Sequence, residues 1–396
     1  MKTHRNHSIM LASISMALIV LSPLAIDIYL PAFNDIASSL KVEQSNLQAS
    51  ITFFMISLGI GQLIVGPLSD KYGRKPIAFF GICVYMVSSI VVYYAQSIDV
   101  LLTARFMQGF GASATTVVAF ALVKDNFNAS QSSHMISYLN GAMASVPALA
   151  PTLGHWLTVN FGWRSNFAFL ALCSLVVGIL VWRFVRELPQ VKQKHQPVTS
   201  DFQSFITILK MPIFLFHASL CALTTSAVLA YITSAPIWLV SNIGLEASEF
   251  TFWFTVNAVI NIVAYIVTPL AINKLGRRNV LRLGLALTIT SGILLQALAY
   301  NLTAWGFMLP IFIASIGFAC IIAPSAAQAL SLYPTKAGTV AALLGFIQLS
   351  GSGLVTWVTQ TLNINIPDLV TLHMWLLIPA CVVLFGRHRN YVFQAE

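Results

Sequence analysis

Two side chains are out of keeping with their surroundings, and between them they could move a proton. Asp27 stands in LSPLAIDIYLPAF, residues 21–33, among leucines and isoleucines, and Arg105 stands in LTARFMQGFGAS, residues 102–113, within another apolar run. A charge in hydrocarbon costs at least ~2.5 kcal/mol, so one that persists is paired, faces a wet cavity or is neutralised by a proton. Burial favours the uncharged acid and a nearby guanidinium favours the carboxylate. A conformational change that moves one relative to the other therefore lets the acid load and release a proton. The plainer alternative is a structural ion pair that only neutralises two awkward charges.

Two further stretches carry chemistry or its machinery. GPLSDKYGRKP, residues 66–76, sets Asp70 beside Lys71, Arg74 and Lys75 between two apolar runs, either as a solvated turn or as a gate. VPALAPTLGH, residues 146–155, together with Gly141 and Ala144, spaces small residues and prolines so that helices can approach closely and bend. His155 at its end reads as an interfacial histidine before a second proton carrier. Asn140, Asn257, Asn261, Gln328 and Gln348, with Tyr29, Tyr231 and Trp253, are candidates to line a cavity for lipophilic ligands or to tie helices together.

The elements that must position these residues follow from composition. Of 396 residues 57% are hydrophobic and 8% charged, against about a quarter charged in soluble domains, and the mean hydropathy is +0.81. The runs do not alternate as barrel strands do. The expectation is an all-α membrane protein with twelve transmembrane helices at 8–32, 45–67, 77–95, 99–122, 133–158, 164–187, 211–241, 247–272, 279–299, 303–330, 338–360 and 369–386. The first span has a basic start and small residues near Ser22, like a signal peptide, but it runs on through Asp27 and is kept as a span.

Net charge is +9, and its placement explains it. Lysines and arginines crowd the termini and even-numbered connections, leaving Lys41 and Arg164 in the odd ones, which puts both termini in the cytoplasm. Nucleic acid is not the implied partner; the bilayer, protons and a small-molecule substrate are, and the chain is expected to be a monomer. Five cysteines lie in apolar runs without metal or disulfide spacing. No phosphate-binding loop, catalytic dyad or metal cluster is evident, so neither ATP, a cofactor nor enzymatic chemistry is expected.

A polar stretch after residue 187 divides the chain into six spans (1–187), a linker (188–210) and six more (211–396). The halves repeat. Gly73-Arg74-Lys75 returns 203 residues later as Gly276-Arg277-Arg278, and LAIDIYLP has a fainter echo in LAYITSAP, residues 229–236. Two pseudo-symmetric six-helix bundles running in the same sense are the architecture of the major facilitator superfamily.

Specific residues carry that resemblance. The loop resembles the superfamily signature Gly-x-Leu-x-Asp-x-x-Gly-Arg-Lys at Gly66, Leu68, Asp70, Gly73, Arg74 and Lys75. Arg105, Gln108, Gly109 and Gly111 resemble Arg-x-x-Gln-Gly-x-Gly, a pattern the family associates with proton coupling. Pro151 and Gly154 fit the antiporter pattern Gly-Pro-x-x-Gly-Gly, where Ala150 and His155 stand in place of glycines. IDIYLPAF with VPALAPTLG is similar to the bicyclomycin and chloramphenicol resistance branch of drug/proton antiporters.

What the resemblance implies is proton-coupled export of small amphiphiles, with Asp27 and Arg105 as the coupling pair and Gln108 near the cavity. Helix 1 runs outward and helix 4 inward, which sets both residues roughly 8–9 Å inside the outer boundary. The family pattern also places Asp70 near the start of the eleventh span and Arg74 against an acid after the fourth, here Asp125, as a cytoplasmic latch, with Asn273 the uncharged counterpart. Pro147, Pro151 and Gly154 would be the antiporter hinge. Export of a self-made metabolite such as a siderophore, proton-driven nutrient import, and a membrane enzyme remain the alternatives in that order.

Overall fold

The apolar runs fold into helices, and among the described residues there is no strand. The computed structural model describes residues 2–185, 205–332, 337–362 and 364–385. Most of the expected linker, with Lys192 and Lys194, lies outside the described residues, as do Lys336, Arg387 and Arg389.

Two compact units divide the chain, Met1–His195 and Gln196–Glu396. The first comprises α1 (Lys2–Asp27), a 3-10 turn (Leu30–Ala32), α2 (Phe33–Leu40), α3 (Gln44–Tyr72), α4 (Arg74–Tyr93), α5 (Ile98–Asn126), α6 (Ala129–Phe161) and α7 (Arg164–Phe184). The second resumes in helix at 205–209 (α8) and continues with α9 (Pro212–Pro236), a π turn (Ile237–Asn242), α10 (Ala247–Leu275), α11 (Arg277–Leu298), α12 (Ala304–Ser331), α13 (Ala337–Gln360), α14 (Ile366–Trp375) and α15 (Ile378–Phe385).

Eleven of these stretches are long and apolar enough to cross a membrane. The fifth expected span falls on α6, which at 33 residues is the longest helix but is diluted by Ser137, Asn140, Ser145, Thr152 and His155. Boundaries differ where backbone geometry changes inside a span. The first does not stop at 32 but passes through the 3-10 turn to Leu40, the seventh finishes in a π turn, and the twelfth breaks between Trp375 and Ile378.

Local chemistry sets the ends. Asn128 and Gln131 form a reciprocal capping box at the start of α6, and the Thr303 hydroxyl accepts from the Gly306 amide, 3.1 Å, at the start of α12. Gly73 and Gly276 take φ of +101° and +79°, open to glycine at little cost, and turn the chain sharply from α3 into α4 and from α10 into α11.

In each unit one helix is central. α5 packs on α1, α3 and α4, and α12 on α9, α10 and α11. Small residues bring these backbones together: a Cβ on Gly111 would lie 2.6 Å from the Gly81 carbonyl, and one on Gly317 2.9 Å from the Gly284 carbonyl. Those glycine pairs occupy matching places in the two repeats. A second repeat feature is a departure from α geometry at matching prolines, Pro31 in the 3-10 turn and Pro236 just before the π turn. Outward faces carry exposed apolar side chains such as Phe80, Val87, Ile179, Ile266 and Val382, as a lipid-facing surface requires.

Candidate functional site

α1 ends at Asp27, so the acid sits at a helix terminus rather than inside a continuous helix. Pro31 has no amide hydrogen and its ring excludes the preceding turn, which is why the chain tightens into 3-10 geometry over Leu30–Ala32 before α2 begins. Asp27 is 2% exposed, and its Oδ1 has no hydrogen-bond partner among the described residues.

Arg105, from the middle of the first half of α5, is fully buried. Among the described residues it makes no ion pair with Asp27 or any other carboxylate within 4.0 Å, so the expected pair is not in contact. Its guanidinium carbon lies 4.9 Å from the ring centre of Tyr29 and 4.5 Å from that of Phe54. Nη1 donates to Gln108 Oε1, one helical turn on, whereas Nε and Nη2 have no partner among the described residues. The chain of hydrogen bonds continues: Gln108 Nε2 donates to Ser89 Oγ, 2.7 Å, and Ser89 Oγ to the Tyr85 carbonyl, 2.8 Å. Tyr85 in turn donates its hydroxyl to the Leu21 carbonyl of α1, 2.9 Å. This network ties α5 to α4 and α4 to α1.

Two glycines let the network close. A Cβ on Gly109 would strike the Phe54 carbonyl and Ser57 Oγ of α3, and one on Gly154 would strike the Ile28 carbonyl, the residue after Asp27. At Gly154, α6 therefore meets the break in α1 backbone to backbone. Pro151 of the same helix is buried and Pro147 half-buried.

At the α3–α4 turn Arg74 gathers three partners. Its Nη1 meets Asp70 Oδ1 at 2.5 Å and Ser69 Oγ at 2.8 Å, and its Nε meets Asp125 Oδ2, at the end of α5, at 2.8 Å. A Cβ on Gly66 would meet nothing within 4 Å. Lys75, the last residue of the signature, is half-buried in the first turn of α4. In the second unit Arg277 meets a neutral side chain at the corresponding turn, donating to Gln328 Oε1 at 3.2 Å, with no ion pair among the described residues.

Several cavity candidates are spent on neighbours in their own unit. Tyr29 is fully buried, with its hydroxyl 2.7 Å from Ser50 Oγ and its ring against Phe33 and Phe167, and so presents nothing to a ligand here. Gln108 is fully buried in the Arg105 network, and Gln328 belongs to the Arg277 turn. Asn257 accepts from Ser315 of α12, 2.8 Å, Asn261 donates back to the Asn257 carbonyl, and Gln348 reaches Thr225 of α9, 3.1 Å. Tyr231 stacks on Phe254 at 5.9 Å, and Trp253 packs edge-on against Trp305 at 4.7 Å. Asn140 is exposed. A groove of about 660 Å³ between α4 and α5 is lined by Phe80, Val87, Thr103 and Met107 among others, and by neither Asp27 nor Arg105. Its apolar, exposed walls read as lipid-facing surface.

Phe54, Ser50, Ser89 and Tyr85 escaped sequence reasoning because a phenylalanine, serine or tyrosine in an apolar run is unremarkable alone. A period of one helical turn between Tyr85 and Ser89, matched by Arg105 and Gln108, was the available signal. His373 is a further buried group, with Nδ1 3.0 Å from Ser226 Oγ and Nε2 2.7 Å from Thr359 Oγ1, tying α14 to α9 and α13.

Two repeat-related units of long apolar helices, the first holding one fully buried acid and one fully buried base among the described residues, are the build of a secondary transporter. The chain belongs to the Major Facilitator Superfamily, whose family model matches residues 15–356, and it is a multi-pass membrane transporter rather than an enzyme. It is 28% identical over 351 residues to the multidrug resistance protein MdtL of Salmonella dublin, covering 89% of this chain and 88% of that protein. The MdtL of Salmonella typhimurium is equally similar, 28% over 351 residues with the same coverage. Among solved structures, a D-xylose-proton symporter superposes with a TM-score of 0.77 at 14% identity over 99% of this chain and all of that one. The nucleoside transporter NupG gives 0.74 at 13% identity over 96% and 100%. These two likenesses show the fold.

Proposed function

We propose that this transporter exchanges protons for small amphiphilic compounds and carries the compounds out of the cell, as a multidrug exporter for neutral or zwitterionic molecules of the chloramphenicol type. The observation that carries the reading is Asp27 Oδ1, buried without a partner at the point where α1 breaks. An acid so placed is not fixed by a permanent bond, and a shift of the break changes its distance from Arg105. Protonation then accompanies one orientation of the transporter and release the other. The relatives named multidrug resistance proteins support the same direction of transport.

The remaining parts follow the family pattern. Arg74, Asp70 and Asp125 form the first half of a latch that restrains the cytoplasmic gate, Pro147, Pro151 and Gly154 give α6 its hinge, and the chain works as a monomer in the inner membrane with both termini in the cytoplasm. The test is efflux of a neutral drug from proteoliposomes under an imposed pH gradient: transport should follow the gradient in the wild type and lose that dependence in Asp27→Asn. Uptake of the drug down the proton gradient would turn the reading to symport.

A second reading has its own observation. Arg105 keeps two donors unpaired, which suits an anion, so export of an anionic chelator is the alternative.

A further inference from the structure

Arg105 raises a question that proton coupling leaves open. A guanidinium taken wholly out of water needs compensation, and an unpaired buried charge is strongly destabilising. Among the described residues no carboxylate is within 4.0 Å of it, and Nε and Nη2 have no hydrogen-bond partner. Besides the hydrogen bond to Gln108, the compensation is aromatic: the ring faces of Tyr29 and Phe54 carry the negative end of their quadrupole, and both lie within 5 Å of the guanidinium carbon.

The Tyr29 ring is held from several sides. Its hydroxyl is fastened to Ser50 of α3, whose own hydroxyl donates to the Leu47 carbonyl at 2.6 Å. Its ring packs against Phe33 of α2, centroids 5.5 Å apart, and Phe167 of α7, 5.3 Å apart. Tyr29 is also two residues from Asp27, inside the break. Whatever moves the break moves the ring.

We propose that Tyr29 is a positioning residue for the buried charges, its ring holding the Arg105 guanidinium away from the Asp27 carboxyl. The inference rests on the coupling reading above, because it concerns the base that Asp27 senses. Without the ring, Arg105 is free to swing onto Asp27, and a contact ion pair would hold the acid in its charged form and block proton uptake. The hydroxyl of Tyr29 anchors the ring to Ser50, and the ring face does the holding, so a ring without a hydroxyl keeps most of the function.

The full-length protein with position 29 varied tests this in proteoliposomes, using a neutral drug as probe and two assays, efflux driven by a pH gradient and drug–drug exchange at equal pH. Tyr29→Phe should stay within about twofold of wild type in both, and Tyr29→Leu should lose about tenfold of gradient-driven efflux while retaining exchange. Phenylalanine carrying one, two and three ring fluorines at position 29 keeps the shape and drains the ring face of charge, so the logarithm of the driven rate should fall in proportion to fluorine number. A series with no slope, or a Tyr29→Phe protein as impaired as Tyr29→Leu, would overturn the proposal. Failure of the coupling reading is separate: it would appear as full gradient dependence in Asp27→Asn, whatever the fluorine series does.

Discussion

The carbonyl oxygen of Ile28 occupies the place where a side chain on Gly154 would begin. At position 154, α6 can present no more than a hydrogen to the residue following Asp27. Gly154→Ala should therefore force α6 off α1 at a cost of about 1–3 kcal/mol, the usual range for overpacking, and should lower both thermal stability and efflux. Gly141→Ala in the same helix meets open space and is the control. Equal melting temperatures for the two variants in detergent would contradict the close contact.

Asp27→Asn keeps size and removes the titratable proton. Membrane insertion and drug binding should persist, and pH-driven efflux should disappear. Efflux is measured at a series of imposed gradients; a retained slope would move attention to His155, which is half-buried further along α6.

The Arg74 cluster is a surface tie, with Asp70 68% exposed and Asp125 32%. Such pairs contribute ~0–1 kcal/mol, so Arg74→Ala and Asp70→Asn should leave the melting temperature within a few degrees of wild type. Transport should nonetheless slow severalfold with drug affinity intact if the tie is the proposed latch, which would act on the balance of conformations. Cysteine accessibility at the ends of α3 and α13 reads that balance, and identical labelling in both variants and wild type would remove the latch.

Substrate charge provides a fourth test. Ionised Asp27 and Arg105 cancel, whereas protonated Asp27 leaves the guanidinium alone, a state hostile to a cation. Neutral drugs should be exported several times faster than a quaternary ammonium compound of similar size. Comparing a neutral drug, a quaternary cation and an anionic chelator in one strain decides it: preference for the cation refutes the argument, and preference for the chelator promotes the anion reading.

The sequence made the helices legible because hydrocarbon thickness and apolar run length are tied to each other, and it made Asp27 and Arg105 legible because charge is rare there. It did not disclose that α1 ends at Asp27, since the apolar residues of LAIDIYLPAF run on past the acid without a break and Pro31 announces only that some departure is near. Nor did it disclose that Arg105 faces rings instead of the acid. Residue counts could suggest a common depth on two helices; rotation about their axes depends on Gly109, Gly111 and Gly154 meeting particular backbones, and that is a property of the packed unit. Gln328 shows the same limit, a glutamine that looked like cavity lining and instead answers Arg277.

The two halves fasten their repeated turns differently, the first through Arg74 and two carboxylates, the second through Arg277 and an uncharged amide. Ionic strength acts on one and spares the other. At physiological salt the Debye length is about 8 Å and at 1 M it is about 3 Å, so concentrated electrolyte loosens the first fastening and leaves the second nearly as firm. A duplicated sequence has in this way become unequally sensitive to electrolyte in its two halves, with turnover expected to change with salt through its N-terminal half.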